Sequence, residues 1–159
     1  MHWKVRREFL SRVEIFSDLG RRDLGALAKS CSVSSFGEGE FLCRQGERGV
    51  AAFLIVSGRV AVESELQDGG TVTVTELAQG AMVGELSIID GAERVASLRA
   101  IEPVETLVLT QWSFQGLMRS RPTIAASMLP IVVARFRETA AELRRRECDS
   151  PQARHSIIE

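Results

Sequence analysis

Tyrosine is absent from this sequence. Histidine occurs only at His2 and His155, so residues 3–154 contain no imidazole. That removes His-based metal sites, Ser-His and Cys-His nucleophile pairs and His general bases from the body of the chain. A catalyst here would have to work with carboxylates, Lys29 or arginine alone, and we expect no enzyme. Cys31, Cys43 and Cys148 are odd in number and lack C-x-x-C spacing. They fit a reducing compartment, with neither a disulfide frame nor a zinc site. Long apolar runs are missing too. Ala51–Val56 and Met128–Ala134 are core-sized, far from a membrane span of roughly 18 residues. The opening MHWKVRREFL carries charge where a signal peptide needs an apolar stretch, so a cytoplasmic protein is expected, without a membrane partner. Net charge is nearly absent, with 20 Lys and Arg against 21 Asp and Glu, which offers no general attraction to nucleic acid or anionic membrane.

What remains is an ordinary globular balance in 159 residues, 45% apolar and 26% charged, enough for one domain. Residues 5–30 read as helical, with Val5, Phe9, Val13 and Phe16 on an apolar stripe. Ser17 or Asp18 is the expected cap of a second short helix carrying Leu24, Leu27 and Ala28. From 31 to 110 the texture turns to short β-rich runs divided by glycines. The candidate strands are Val33–Phe36, Glu40–Arg44, Ala52–Ser57, Arg59–Glu65, Val72–Leu77, Val95–Ile101 and Glu105–Thr110. Gln67-Asp68-Gly69-Gly70 is a turn, and Val60/Val62 and Val72/Val74 alternate as strands with one buried face do. Many short strands with frequent turns predict a β-roll or jelly-roll barrel with flanking helices.

Residues 111–147 read as helical again. Trp112–Met118 makes one short helix and Pro122 suits the first turn of a longer one, running to about Glu147. Ile124, Met128, Ile131, Arg135 and Thr139 fall near one face, with Val132, Phe136 and Leu143 beside it. Pro130 is expected to kink or break this helix. The domain is thus expected over 1–147, with a frayed tail at 148–159. The Arg144-Arg145-Arg146 run reads as a solvated helix end.

The one dense constellation is GELSIIDGAERVAS, Gly84 to Ser97. A short helical turn starting near Leu86 presents unpaired N–H groups, which suit an anion. Gly84 allows close approach of a ligand to the backbone. Arg94 can pair two phosphate oxygens in a fork, and Glu85 can accept a hydrogen bond from a neighbouring sugar hydroxyl. Taken alone, a Glu and an Arg nine residues apart are better explained by pairing with each other, with Gly91 as a plain turn.

The surrounding pattern resembles the cyclic nucleotide-binding domain family. GELSIIDGAERVASLRA looks like its phosphate-binding cassette, and FGEGEFLCRQGE, AFLIVSGRVAV and LAQGAMVGE resemble its glycine framework at Gly39, Gly46, Gly58, Gly80 and Gly84. LSRVEIFSDLGRRDLGALA resembles the helical lead-in of bacterial members. The resemblance implies that Glu85, Gly84 and Leu86 hold the ribose and that Arg94, Val95 and Ala96 hold the cyclic phosphate. Val62, Val74 and Leu77 would line the base pocket, although their alternation equally fits plain core. By similarity to catabolite activator proteins, Arg135 and Thr139 would reach the base from a lid helix. Val95 stands where cGMP-selective members commonly carry a Thr hydroxyl, so the implied ligand is cAMP rather than cGMP, with no further cofactor and no metal. The implied role is a sensor signalling through a protein partner or a homodimer. The alternative is an interaction scaffold of the same fold with an empty pocket. Only 12 residues follow Glu147, with Pro151 among them, short of the roughly 25 that a helix-turn-helix needs, so no DNA partner is expected. A cupin-type enzyme would need clustered histidines that the sequence lacks.

Overall fold

A computed structural model describes residues 1–149. The lead-in folds as α1 (Trp3–Ser11), a single 3-10 turn (Glu14–Phe16) and α2 (Arg21–Ser30). Phe16 is fully buried and Val13 nearly so, while Phe9 is half-buried and Val5 is exposed. The stripe therefore engages the core only toward its C-terminal end. Neither Ser17 nor Asp18 caps α2. Gly20 does, its carbonyl accepting from the N–H groups of Asp23 and Leu24, without a side-chain cap.

Eight strands follow: β1 (Ser32–Phe36), β2 (Phe41–Cys43), β3 (Ala51–Ser57), β4 (Val60–Glu65), β5 (Thr71–Leu77), β6 (Met82–Val83), β7 (Ser97–Ala100) and β8 (Val104–Thr110). They form two antiparallel four-stranded sheets, β1-β8-β3-β6 and β2-β7-β4-β5. This is the expected jelly roll with flanking helices. β6 has only two residues, too few for a period to reveal. The expected strand at Val95 begins at Ser97, because Arg94 and its neighbours belong to the site rather than to a sheet.

β3 explains the layering. Its run AAFLIVS is buried on both faces. Ala52, Leu54 and Val56 pack toward the helices with Leu10, Phe16, Leu107 and Phe114, while Phe53 and Ile55 pack inside the roll with Leu42, Val60, Leu98 and Val104. A strand covered on both sides reads as a continuous apolar run, as this one does. β5 behaves in the opposite way. Val72 and Val74 were expected to alternate with polar residues over one buried face, yet both are exposed, Val74 by 62%. β5 is an edge strand paired only with β4, and its alternation has no core beneath it.

Between β6 and β7 lies α3 (Ser87–Asp90), the single turn anticipated there, closed by Gly91 in the left-handed conformation. The last two described elements are α4 (Gln111–Ser120) and α5 (Pro122–Asp149). Pro130 does not break α5, which runs through it. The proline removes one N–H from the helix ladder. Buried Ile124 and Met128 on one side and the ion pairs of Arg135 on the other hold the helix across that gap. Of the tail expected at 148–159, the first two residues continue α5 instead, and 150–159 lie outside the described residues.

Candidate functional site

Gly84 ends the β6 segment with φ +80°, and α3 begins three residues later. A Cβ at Gly84 would collide with Arg94 Nη1, and would lie 2.9 Å from Arg94 Cζ and 3.1 Å from the Ala51 carbonyl oxygen. Only glycine lets the Arg94 guanidinium pass beneath the turn. The Arg94 backbone is fixed from the other side. Its N–H donates to the Glu47 carbonyl at 2.8 Å, its carbonyl accepts from Gly46 N–H at 2.9 Å, and Ala92 accepts from Gly49 N–H at 3.0 Å. The loop between β2 and β3 thus zips along the segment before β7. Gly49 faces Ser87 too closely for any Cβ to fit.

The side chain of Arg94 is held without an acid. Nη2 donates to the Ala51 carbonyl, Nη1 donates to Ser87 Oγ at 3.5 Å, and Cζ lies 5.9 Å from the Phe53 ring centroid. Arg94 is 8% exposed, none of the carboxylates among the described residues pairs with it, and its Nε is buried without a hydrogen-bond partner. A buried cation with an unmet donor is costly unless an anion completes it. The guanidinium faces a cavity of about 330 Å³ whose walls include Gly84, Glu85, Ser87, Arg94, Ala96 and Leu98. That volume is at the lower end of small-molecule sites, which start near 300 Å³.

Glu85 does not pair with Arg94. Its Oε1 accepts from Arg135 Nη1 at 2.7 Å, and the carboxylate also belongs to the cavity wall. The wall therefore presents a guanidinium without a carboxylate partner and, apart from it, a carboxylate already oriented from α5.

A sequence profile of the cyclic nucleotide-binding domain matches residues 33–121. The chain belongs to the cyclic nucleotide-binding domain family. Among curated relatives, a CRP-like cAMP-activated global transcriptional regulator from Mycobacterium tuberculosis is 29% identical over 83% of this chain and 59% of its own length. A cyclic AMP receptor protein from Thermus thermophilus is 33% identical over 67% of this chain and 49% of its own. The chain thus spans only about half to three-fifths of these relatives. Among solved structures, the N-terminal domain of a transcriptional regulator from Streptomyces coelicolor superposes with TM-score 0.77 at 27% identity, covering 82% of this chain and 94% of that one. The regulatory domain of Toxoplasma gondii PKA with cAMP superposes with TM-score 0.72 at 22% identity, covering 86% and 50%, and supports the fold.

Within this cyclic nucleotide-binding domain the residues expected at the site fall into two groups. Gly84, Glu85, Leu86, Arg94, Val95, Ala96 and Val62 all stand in the cavity wall. Val95 does so with its side chain 88% exposed. The other expected base contacts lie elsewhere. Val74 is exposed on edge strand β5, and Leu77 packs against the core inside the roll. Arg135 and Thr139 are not in the wall either. The Arg135 guanidinium is committed to Glu85 and to Glu14, reaching Glu14 Oε2 from Nη2 at 2.7 Å and from Nε at 3.2 Å. Thr139 Oγ1 donates back to the Arg135 carbonyl at 2.9 Å. The hydrogen bond to Glu14, ahead of that to Glu85, holds the Arg135 guanidinium above the usual arginine range against the pull of its partial burial.

Sequence reasoning missed Cys43, Val83, Ser87, Asp90, Ala92, Glu93 and Leu98 as wall residues, together with Glu14 and the Ala51 carbonyl. Ser87 had a signal, since it begins the short helix. Glu14 had none, being 121 residues from its partner. No helix of the described residues is long and apolar enough to cross a membrane, and among them no group of three or more His, Cys, Asp or Glu stands together to hold a metal.

Proposed function

We propose that this domain binds a 3′,5′-cyclic nucleotide, cAMP in preference to cGMP, and relays occupancy through α5 to a protein partner or a second copy of the chain. The observation that carries the reading is Arg94, a buried guanidinium with an orphaned Nε, facing a cavity beside the N-terminus of α3. The cyclic phosphate takes Arg94 and the backbone near Val95 and Ala96. The ribose 2′-hydroxyl takes the Glu85 oxygen that Arg135 leaves open, with Gly84 and Leu86 beside it. Val95 offers no hydroxyl toward a guanine, which favours cAMP.

Occupancy reaches α5 because Arg135 joins that helix to the ligand-facing carboxylate. Beyond Arg135 the helix shows exposed Phe136 and Leu143, continuing a line from Leu129 and Val133. Their spacing of four, three and seven residues is that of a coiled-coil seam, the geometry through which α5 would meet its partner. Such a relay works only if nucleotide binds the two arrangements of α5 with different affinity.

The test is a calorimetric titration with cAMP and cGMP. Arg94→Ala is expected to weaken cAMP binding by at least ~10-fold, about 1.4 kcal/mol, through loss of a charge-assisted bond. Equal affinity of variant and parent would refute the assignment. Absence of binding to the parent would instead favour the scaffold alternative.

A further inference from the structure

A second concave site lies away from the nucleotide cavity, between the two lead-in helices. It has a volume of about 600 Å³ and is lined by Trp3, Arg7, Arg21, Arg22, Lys29 and Arg121. Trp3 of α1 lies against Gly25 of α2 and floors the cleft. Two cations stand over its indole, Lys29 Nζ at 4.9 Å and Arg7 Cζ at 5.7 Å from the ring centroid. Such contacts keep charged heads at the ring instead of letting them range through solvent.

The acids of α1 and α2 are already engaged. Glu8 pairs with Arg12 at 2.9 Å, and Asp23 takes Arg121 at 3.1 Å through one oxygen and the Thr123 hydroxyl at 2.6 Å through the other. Arg7, Arg21, Arg22 and Lys29 pair with no carboxylate among the described residues. The chain as a whole carries a formal charge of −1, so this accumulation of unpaired cations is a local segregation of charge. It extends into the adjoining depression of about 590 Å³, which shares Arg7 and Arg21 and adds Lys4 together with Glu8, the acid already paired with Arg12.

We propose that this cleft docks an acidic, carboxylate-rich peptide segment of a partner protein. Charge complementarity names the occupant as anionic. The roofed indole disfavours a nucleic acid, because Lys29 and Arg7 cover the ring face on which a base would stack. The cations also surround one compact cleft rather than tracking a strip along which successive phosphates would lie. Guanidinium forks at Arg7, Arg21 and Arg22 match carboxylates in pairs.

The full chain is titrated against a fluorescein-labelled hexaglutamate peptide by anisotropy at low salt. Saturable binding is expected, weakening steeply with added salt. The double reversal Arg22→Glu/Lys29→Glu, at two exposed positions, is expected to weaken it at least ~10-fold at unchanged melting temperature, while Arg44→Glu, on the far sheet, leaves it within about twofold of the parent. The proposal is overturned if hexaglutamate does not saturate, or if the double reversal binds as well as the parent. It is equally overturned if Arg44→Glu loses as much, which would show a response to net charge alone, or if hexathymidylate binds more tightly than the peptide.

Discussion

Arg135 is the place where a single substitution separates three elements. Its guanidinium joins α5 to Glu85 at the cavity and to Glu14 on the 3-10 turn of the lead-in. The two bonds differ in worth. Glu14 is 66% exposed at its side chain, and a pair so open to solvent contributes only about 0.2–1 kcal/mol. Glu85 is 18% exposed, and a charge-assisted hydrogen bond in that setting contributes about 1.5–3 kcal/mol, part of it the cost of stranding the carboxylate. Arg135→Met, which keeps the aliphatic stem, is therefore expected to destabilise the fold by about 2 kcal/mol, whereas Glu14→Gln costs less than about 1 kcal/mol. For a chain of this length the first loss lowers the melting temperature by roughly 4–8 °C. Urea denaturation followed by circular dichroism measures both. The cycle formed with Glu85→Gln should be non-additive, since each partner acts through one guanidinium. If Arg135→Met unfolds at the same urea concentration as the parent, the three-element connection does not hold in solution.

Gly84→Ala is expected to cost about 1–2 kcal/mol for a side chain at φ +80° and to displace Arg94, so that stability and cAMP affinity fall together; unchanged affinity in calorimetry would mean that Arg94 does not need the space beneath the turn. Burial pushes the Cys31 thiol up to about 12, only partly opposed by Arg6. The folded state then binds its proton more tightly than the unfolded one, so stability is intact below pH ~9 and declines as pH rises toward 12, by up to ~1.4 kcal/mol per unit. Cys31→Ala should flatten the decline in denaturation curves recorded between pH 8 and 11, a window in which no tyrosine titrates in this chain. Phe136→Glu, placing charge on the exposed seam of α5, is expected to shift any self-association toward monomer in sedimentation runs. A variant that sediments as the parent does would exclude that face.

How much of this was legible depended on the range of the contact involved. The short α3 turn, its Gly91 stop and the presence of Arg94 beside them are local, and residues 84–97 announce them. The five glycines at positions 39, 46, 58, 80 and 84 all have positive φ, so their recurrence in the sequence reflects backbone need. β3 was readable because burial on both faces leaves an unbroken apolar run. β5 misled because alternation reports pleat geometry, whereas burial depends on what lies beneath, and nothing within Thr71–Leu77 records that β5 is an edge. The cap at Gly20 was missed because its own carbonyl begins the helix without any side-chain oxygen. Arg135 and Thr139 were placed by similarity to lid helices, whereas the structure commits Arg135 to carboxylates 50 and 121 residues away. Such pairings leave no trace in spacing.

The proline within α5 leaves that helix one backbone hydrogen bond short. Ahead of it, Ile124 and Met128 are rivets set into the helical core; behind it, the outer surface is largely bare. At 1.5 Å per residue the part from Pro130 to Asp149 spans about 28 Å, tied near its start by Val132 against the helical core and by the ion pairs of Arg135, and the missing bond at Pro130 is where a bend would cost least. A tilt of about 10° there would sweep the far end through about 5 Å, a whole helical pitch, while the rivets stay in place. The same tilt would carry Arg135, five residues beyond the proline, through about 1.3 Å, so a shift of that order at Glu85 is what the relay proposed above would require.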